Sequence, residues 1–505
     1  MDFYDARIQY PVNAMLALIL TTPDPFDMSK TLYWYDFEAG GANPRVDRPT
    51  QFAGIRTDED LNIIGEPLVH YCQQTPDYLP HPEACLITGI TPQKTLQKGI
   101  PEAHFCDLIH QQFSQPETTI AGYNNIRYDD EMTRFMLYRN FYDPYAYSWQ
   151  NNNSRWDLVD LVRACYALRP EGIEWPTNEK GLTSFKLEHL SMANNIEHAQ
   201  AHDAMSDVYA TIGMARIIKE QQPRLYAWYW QLRRKAQVQK VLDEAMVQSK
   251  ALVHVSSHYG TEQGNLSWIF PLAYHPEQAN TLIAWRLDKN PENCRDLKAD
   301  QIRQLLFTPR SQLTEGQERP GLVSISINKC PFLAPLNTLS AERARNFNLD
   351  WKQAEAYLAL LQQDPHLRQH IVSALLEPAD NASAPDDVEQ QLYSGPFFSE
   401  QAKSQMEIIR SSSPEQLATL TLEWDDSRLP ELLFRYRARN YPHTLSQPEV
   451  ERWRQHCKTR LTEGSKHHLN IDEFVLRLEQ LAQEHEQNSR NMAIVKALAN
   501  YIQEL

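Results

Sequence analysis

The clearest alternation of polar and apolar positions runs from Thr31 to Glu38. A period of two residues is typical of a β-strand, whose successive side chains point to opposite faces. One face would carry Leu32, Trp34, Asp36 and Glu38, and the other would carry Tyr33, Tyr35 and Phe37. The pattern therefore places Asp36 and Glu38 on the same face, at the carboxyl end of one strand.

Further strand and helix patterns follow. Residues 51–56 and 63–72 predict two more strands joined by a polar turn, and with the first strand they indicate an antiparallel meander. Residues 118–122 predict a later strand, and apolar residues at helical spacing predict helices over 129–140 and 204–219. Together these elements predict an α/β domain.

The pattern changes after Pro223. Short strand-like runs separated by Gly, Pro and Asn predict a small β-rich domain over roughly 224–345. The runs are 251–256, 266–272, 281–287 and 321–327. From Asp350 onward the pattern is mostly helical and acidic, with a surface loop predicted over 381–391.

Length and composition fit a multidomain globular protein. A chain of 505 residues predicts two to four domains. The seven cysteines are scattered and odd in number, which indicates reduced thiols in a cytoplasm and neither a disulfide framework nor a zinc site. The net charge of −16 disfavours indiscriminate binding to nucleic acid but leaves room for a local basic groove.

The first 27 residues do not resemble a targeting signal. Asp2 and Asp5 stand where a signal peptide would carry positive charge, and the apolar run over 14–20 is short. No stretch approaches the roughly 18–20 apolar residues that cross a bilayer, so no membrane association is expected. We interpret residues 1–27 as a non-native or disordered extension with Met28 as the true start. The intact mass of the native protein tests this interpretation.

Three blocks of residues carry the candidate chemistry. They contribute Asp36 and Glu38, then Asp129, then His202 and Asp207. Two Mg²⁺ ions about 3.5–4 Å apart activate water and stabilise the leaving oxygen in phosphodiester hydrolysis. Mg²⁺ prefers oxygen ligands, which these four carboxylates supply. His202 is the member of the set that takes a proton near neutral pH, which suits a general base.

Each block alone has an ordinary explanation. An Asp-x-Glu pair on a surface strand is commonplace, and Asp129 in isolation is a plausible helix N-cap. A histidine five residues before an aspartate also occurs by chance. The conjunction of three blocks in this order, each at a fitting structural position, favours the metal site.

The blocks and their surroundings resemble a known family. The order of the five residues is that of the DEDDh superfamily of 3′→5′ exonucleases. Segments throughout the chain resemble the bacterial exonuclease I family, from about Lys30 to the C-terminus. They include Asp47–Ala53, Leu86–Pro92, Gly122–Asn125, Arg139–Tyr145, Ser154–Asp157, Cys165–Gly172, Ala201–Ala204, Asn328–Pro331 and Phe434–Asn440.

This resemblance implies a fold and an activity. The fold would be a ribonuclease-H-like exonuclease domain over 28–222, an SH3-like domain with linking helices over 223–375 and a helical C-terminal domain over 376–505, C-shaped overall. The activity would be processive 3′→5′ degradation of single-stranded DNA to 5′-mononucleotides in DNA repair and recombination. By motif match, Asp36, Glu38, Asp129 and Asp207 would hold two Mg²⁺ ions, for which Mn²⁺ substitutes, and His202 would be the general base.

The resemblance also implies a protein partner. The family binds the acidic C-terminal tail of single-stranded-DNA-binding protein, and Arg169 is a candidate for the pocket that holds it. A groove that encloses one strand does not require a dimer, so a monomer is expected.

One local departure from the family concerns the residues after Glu38. Relatives often carry Thr-Phe-Gly there, whereas this chain has Ala39-Gly40-Gly41, which removes a hydroxyl and an aromatic ring near the terminal nucleotide.

Two segments combine aromatic and basic residues, as single-strand binders do. The first, 226–240, offers Tyr226, Trp228, Tyr229 and Trp230 with Arg233, Arg234, Lys235 and Lys240. The second, 434–441, interleaves Phe434, Tyr436 and Tyr441 with Arg435, Arg437 and Arg439. The alternative is that the aromatics are core and the arginines face solvent.

Closer to the metal site, Asn124, Asn125 and Arg127 are candidates for positioning the scissile phosphate. A turn-forming role for the two asparagines is the alternative.

The sequence also leaves two rival functions open. An RNA-trimming enzyme of the same superfamily would carry the same site, although such enzymes are usually little more than the nuclease domain. A non-enzymatic scaffold that binds single-stranded DNA or its coating protein would have no use for all five residues.

Overall fold

The computed structural model describes residues 30–197, 203–376, 384–464 and 468–505. The extension predicted over 1–27 and the proposed start at Met28 lie outside these ranges, and so does His202. Within them, the chain forms two five-stranded sheets and three groups of helices.

The first sheet contains the predicted meander. Strands β1 (Thr31–Ala39), β2 (Pro49–Asp58) and β3 (Ile63–Tyr71) pair antiparallel, and β4 (Thr118–Gly122) and β5 (Ser154–Asp157) add parallel strands beyond β1, giving the order β3-β2-β1-β4-β5. The sequence predicts the first four strands. It misses β5, because four residues are too few to display a period of two.

Within the described ranges, seven α-helices belong to this domain. They are α1 (Pro82–Thr88), α2 (Pro92–Lys98), α3 (Glu102–Phe113), α4 (Asp129–Arg139), α5 (Leu158–Leu168), α6 (Leu187–Ala193) and α7 (Ala204–Gln221). The Leu32 and Trp34 face of β1 packs in one core with residues of α5 and α7. The Tyr33 and Tyr35 face packs in a second core with residues of α3 and α4. Asp36 and Glu38 continue the face that α7 covers.

The second sheet is antiparallel throughout and confirms the predicted β-rich domain. It follows α8 (Pro223–Leu232) and α9 (Lys235–Val247), and its strand order is β10-β6-β7-β8-β9. The strands are β6 (Leu252–Val255), β7 (Leu266–Tyr274), β8 (Thr281–Arg286), β9 (Leu322–Ser326) and β10 (Phe332–Pro335). Helices α10 (Ala299–Phe307), α11 (Ala341–Asn346), α12 (Trp351–Gln363) and α13 (Pro365–Leu376) complete this part.

The C-terminal part is helical, as predicted. A 3₁₀ helix over Val388–Tyr393 precedes its six α-helices. They are α14 (Glu400–Ser411), α15 (Pro414–Thr419), α16 (Leu429–Asn440), α17 (Gln447–Glu463), α18 (Ile471–Glu484) and α19 (Ser489–Glu504). Residues 381–383 of the predicted surface loop lie outside the described ranges. The prediction is wrong for residues 388–391, which belong to the 3₁₀ helix, because Val388 and Glu389 are buried against the nuclease domain.

All seven cysteines are reduced. Six are buried and Cys457 is half-buried. This confirms the expectation of free thiols. No helix within the described ranges is long and apolar enough to span a bilayer.

Candidate active site

Strand β1 presents two of the predicted carboxylates. Asp36 pairs with Ala53 and Glu38 with Gln51 of β2, and the register shifts directly after Glu38. Both side chains belong to one face because they are two residues apart in a strand. Glu38 is buried and Asp36 is half-buried. The strand thus fixes two acids at its carboxyl end.

Asp129 approaches from the first turn of α4. Its Oδ1 accepts a hydrogen bond of 3.3 Å from the backbone amide of Phe37, the residue between the two β1 acids. That bond ties the start of α4 to β1. Asp129 is buried, so the structure places it beside Asp36 and Glu38 as predicted.

Asp207 completes the set from α7. Asp203 caps this helix, since its carboxylate accepts a bond from the amide of Ser206. Gln51 of β2 donates to the same carboxylate at 3.4 Å, which ties the helix start to the sheet. Oxygen atoms of Asp36, Glu38 and Asp207 lie within 4.8 Å of one another. We call Asp36, Glu38, Asp129 and Asp207 the carboxylate cluster.

Burial and mutual repulsion raise the pKa values in the cluster. Burial is the largest cause for Glu38, with the charge on Asp207 next, and together they raise its pKa to about 8. The pKa of Asp129 is also raised to about 8, chiefly by burial. The pKa of Asp36 lies well above its usual range through burial and the charges on Asp129 and Asp207. Four acids this close favour a bound cation, because a divalent ion relieves both the desolvation and the repulsion.

The donor set fits Mg²⁺. All four side chains offer carboxylate oxygens, and three of them converge within the span of a single ion's ligands. Within the described residues, which do not include His202, the converging group consists of three carboxylates.

The loop before α4 lies beside the cluster. Asn124 adopts φ 61° and Asn125 is fully buried, while Arg127 is exposed. Asp157, at the end of β5, accepts from the backbone amides of Asn124 at 2.8 Å and Ile126 at 3.2 Å. The asparagines therefore do form a turn, and their predicted contact with the scissile phosphate stays a prediction.

Close packing explains the two glycines of the Ala39-Gly40-Gly41 segment. A Cβ on Gly41 would lie 2.3 Å from the carboxylate of Asp47, and one on Gly40 would lie 2.4 Å from the hydroxyl of Tyr78. Tyr128 also donates to the carbonyl of Gly41. The two glycines permit this close packing next to Glu38.

A basic cavity opens where the three parts of the chain meet. Its volume is about 660 Å³. Its cationic lining is Arg134, Arg155, Arg233, Arg234, Lys235, Lys403 and Arg428, and its aromatic lining is Tyr145, Trp149, Phe397 and Phe398. Trp149 and Phe397 are 63% and 82% exposed, so their faces are open to a ligand. Positive charge with exposed rings is the combination that single strands require.

The predicted segment 226–240 divides between core and cavity. Tyr226 and Tyr229 are buried and pack against Trp156, so the aromatics serve the core, as the alternative held. Arg233, Arg234 and Lys235 line the cavity. The basic residues of this segment therefore lie at a surface suited to DNA.

The predicted segment 434–441 lies elsewhere, in α16. Arg435 and Arg437 are buried, the side chain of Arg439 is 3% exposed, and each is ion-paired to an acid. Tyr436 is also buried, against Phe141. These contacts favour a structural role over the DNA contact predicted for the four residues, because a buried ion pair is costly to break.

Arg435 and Arg439 belong to a larger set, which we call the interdomain network. It joins Arg48, Asp77, Glu102 and Arg139 of the nuclease domain to Asp387, Glu389, Arg435, Arg439 and Arg460 of the C-terminal part. Arg48 reaches Glu389 at 2.6 Å, and Arg439 reaches Asp77 at 2.7 Å. The arginines hold the pKa of Asp77 and of Glu389 well below the usual range despite burial.

Arg169 lies at the end of α5 and is half-buried. It donates at 3.0 Å to the carbonyl of Thr338, between β10 and α11. The position is a seam between the nuclease domain and the β-rich domain. Its predicted contact with an acidic tail stays a prediction.

Sequence reasoning missed several residues around the site. Asp203 is one of them, because it caps α7 and its charge also raises the pKa of Asp36 and Glu38. Asp157 and Arg155 lie in a segment marked by its family likeness, but no chemistry was attached to it. Their roles depend on contacts across the sheet, which a local pattern does not display.

Family models match most of the chain. The model described as "Exonuclease" matches residues 33–215, the exonuclease I SH3-like domain matches 233–376, and the exonuclease I C-terminal domain matches 386–505. These ranges agree in order with the three predicted domains; the boundaries at 222/223 and 375/376 stay predictions.

Whole proteins match as well. Exodeoxyribonuclease I of Haemophilus influenzae is 46% identical over 472 residues, 93% of this chain and 98% of the relative. The zinc-bound form of the Escherichia coli exonuclease I complex with single-stranded DNA superposes with a TM-score of 0.89 at 44% identity, covering 94% of this chain and 99% of that one. A structure of SSB and exonuclease I with the inhibitor CFAM gives a TM-score of 0.86 at 44% identity, covering 94% of this chain and 100% of that one.

Proposed function

The chain belongs to the exonuclease I family, and from that premise we propose that it removes nucleotides one at a time from the 3′ end of single-stranded DNA. The observation that carries the proposal is the carboxylate cluster, in which three acids from β1 and α7 converge within 4.8 Å. The superposition with an exonuclease I complex that contains single-stranded DNA supports the choice of polymer.

Asp36, Glu38, Asp129 and Asp207 would hold two Mg²⁺ ions, with Mn²⁺ as a substitute. When bound, such ions lower the pKa of water and stabilise charge on the leaving oxygen. The chain's own contribution is to fix the four acids on rigid elements and to bury them. His202 would accept the proton of the attacking water, as its position in the motif implies.

The strand behind the terminal nucleotide would occupy the basic cavity. Arg233, Arg234 and Lys235 would neutralise phosphates, and Trp149 and Phe397 would stack on bases. Each base–aromatic stack contributes roughly 1–3 kcal/mol. Asn124 and Arg127 are exposed next to the cluster and would contact the terminal phosphates. This path explains binding of DNA by a chain whose net charge is −16, because the positive charge is local.

Further features follow from the same premise. The products would be 5′-mononucleotides, and the enzyme would act as a cytoplasmic monomer in DNA repair and recombination. Its partner would be the acidic tail of single-stranded-DNA-binding protein, in line with the structure that contains SSB. Arg169 would contact that tail. A labelled acidic peptide should bind the wild-type protein and bind Arg169→Ala at least tenfold more weakly.

One assay tests the central proposal. Single-stranded DNA, duplex DNA and RNA, each labelled at the 5′ end, are incubated with Mg²⁺ and with wild type, Asp207→Asn or Glu479→Gln. Glu479 is an exposed acid of α18 and serves as the matched control. Single-stranded DNA should shorten from its 3′ end with wild type and the control, and survive with Asp207→Asn or EDTA. Preferential digestion of RNA would contradict the proposed substrate, and an active Asp207→Asn variant would contradict the proposed metal site.

A further inference from the structure

Strand β5 connects the nuclease domain to the β-rich domain. Arg155 is buried at 7% exposure and forms an ion pair with Asp130, which is fully buried. Asp130 follows Asp129 directly in the first turn of α4. Its other carboxylate oxygen accepts a bond of 2.9 Å from the hydroxyl of Tyr35 on β1. Arg155 therefore fixes the residue next to a carboxylate of the cluster.

The same guanidinium reaches the other domain. Its second amino group donates at 2.9 Å to the carbonyl of Asn328, in the turn between β9 and β10. The thiol of Cys330 in this turn donates at 3.0 Å to the carbonyl of Arg155. Cys330 has φ 46°, a conformation that a non-glycine residue holds only when its surroundings impose it. The turn and Arg155 are thus bonded to each other in both directions.

The turn also forms part of the basic cavity. Arg155, Asn328 and Cys330 all line it. A ligand in the cavity therefore contacts the group that holds Asp130. Because a planar guanidinium makes both bonds with a fixed geometry, a movement of the Asn328 carbonyl changes the orientation of Arg155 and, through Asp130, the start of α4.

We propose that Arg155 is a positioning residue that couples occupancy of the basic cavity to the placement of Asp129. This inference rests on the proposed function. The inference adds to the proposed function that the enzyme degrades a strand faster, in addition to binding it more tightly, when the strand is long enough to fill the cavity. Contacts that orient metal ligands from behind typically change activity 10–100-fold when removed.

The test measures kcat and KM for single-stranded oligodeoxynucleotides of 3 to 16 nucleotides. For wild type, kcat should rise when the strand becomes long enough to reach the cavity. Arg155→Met should lower kcat for the 16-mer about 10–100-fold and abolish its dependence on length. Lys235→Met, which removes an exposed cation from the same cavity, should raise KM for the 16-mer and keep the length dependence of kcat.

A second variant separates coupling from folding. Arg155→Lys retains a charge for Asp130 but lacks the fork that also binds the Asn328 carbonyl. It should keep the circular-dichroism spectrum of the wild type, which shows that it folds, and show no rise in kcat with length. A rise equal to that of wild type in Arg155→Lys would overturn the proposal, as would a wild-type kcat that does not vary with length. Failure of the wild type to degrade any single-stranded DNA would instead overturn the proposed function.

Discussion

The molecule buries charge in two places and in two ways. The carboxylate cluster gathers acids that repel one another, and the pKa values of Asp36, Glu38 and Asp129 rise. The interdomain network gathers acids among arginines, and the pKa values of Asp77 and Glu389 fall well below their usual range. Burial is the largest single influence in both. The difference lies in whether the protein supplies the opposite charge or leaves it to a ligand.

This contrast separates function from stability. Acids that repel one another destabilise the fold and create a site for cations, because a bound divalent ion removes the repulsion. Acids paired with arginines hold two domains together and leave no capacity for a ligand. The four predictions below test this division, in order of decreasing effect.

The largest effect should be on catalysis. Asp207→Asn should lower kcat at least about 10³-fold, because it removes a metal-holding carboxylate, in the range typical when a catalytic group is lost. Glu389→Gln should leave kcat within about threefold of wild type when assayed well below its melting temperature. Rates of release of nucleotides from a 3′-labelled single strand provide the measurement. Equal losses of kcat in the two variants would contradict the division between a catalytic cluster and a structural network.

The second effect should be on stability, and in the opposite direction. Glu389→Gln should lower the free energy of unfolding by about 3–5 kcal/mol, because it removes a buried negative charge that pairs with both Arg48 and Arg439. Asp207→Asn should be neutral or stabilising in EDTA. Arg454→Gln breaks an exposed pair with Glu451, whose side chains are 70% and 75% exposed, and should change nothing measurable. Urea unfolding of the three variants checks the order.

The third effect is stabilisation by a cation. Mg²⁺ at a hundred times its dissociation constant should raise the free energy of unfolding of wild type by about 2.7 kcal/mol for one site. Asp207→Asn should show a smaller gain or none, and Glu389→Gln should show the full gain. Thermal melts with and without Mg²⁺ measure this. A gain that is unchanged in Asp207→Asn would place the cation elsewhere.

The last effect, and the smallest difference between variants, should be in a pH dependence of opposite sign in the two regions. In EDTA, Glu38 and Asp129 bind protons more tightly in the folded chain, so their contribution to stability falls as pH rises from about 5 to about 8. Asp77 and Glu389 bind protons less tightly in the folded chain, so their contribution is lost as pH falls below about 4. Urea unfolding measures the free energy of unfolding across this pH range. Its slope against pH should be weaker between about pH 5 and 8 in Asp207→Asn, and weaker below about pH 4 in Glu389→Gln.

The same two regions show how far a sequence can be interpreted. The placement of Asp36 and Glu38 follows from the period of one strand, and their meeting with Asp129 and Asp207 follows from motif order. The β-rich and helical parts follow from strand spacing and helical periodicity. These features have local signals, and the structure confirms them.

The interdomain network has no such signal. Arg439 and Asp77 are 362 positions apart, and Arg48 and Glu389 are 341 positions apart. An arginine-rich helix has the same appearance whether its arginines face DNA or buried acids. Arg435 and Arg439 were therefore expected on a DNA surface, whereas the cavity that suits DNA is lined by Arg233, Arg234 and Lys235. Only the three-dimensional arrangement distinguishes the two outcomes.

The buried thiols have a practical consequence. Burial raises the pKa of Cys85, Cys330 and Cys457 to about 12, so almost none of each is thiolate at neutral pH and the folded chain should resist alkylation. The seven positions are spread over the molecule: Cys72, Cys85, Cys106 and Cys165 in the nuclease domain, Cys294 and Cys330 in the β-rich domain, and Cys457 in the C-terminal part. Pulsed alkylation followed by peptide mass spectrometry would therefore report the order in which the three domains open, with no label introduced.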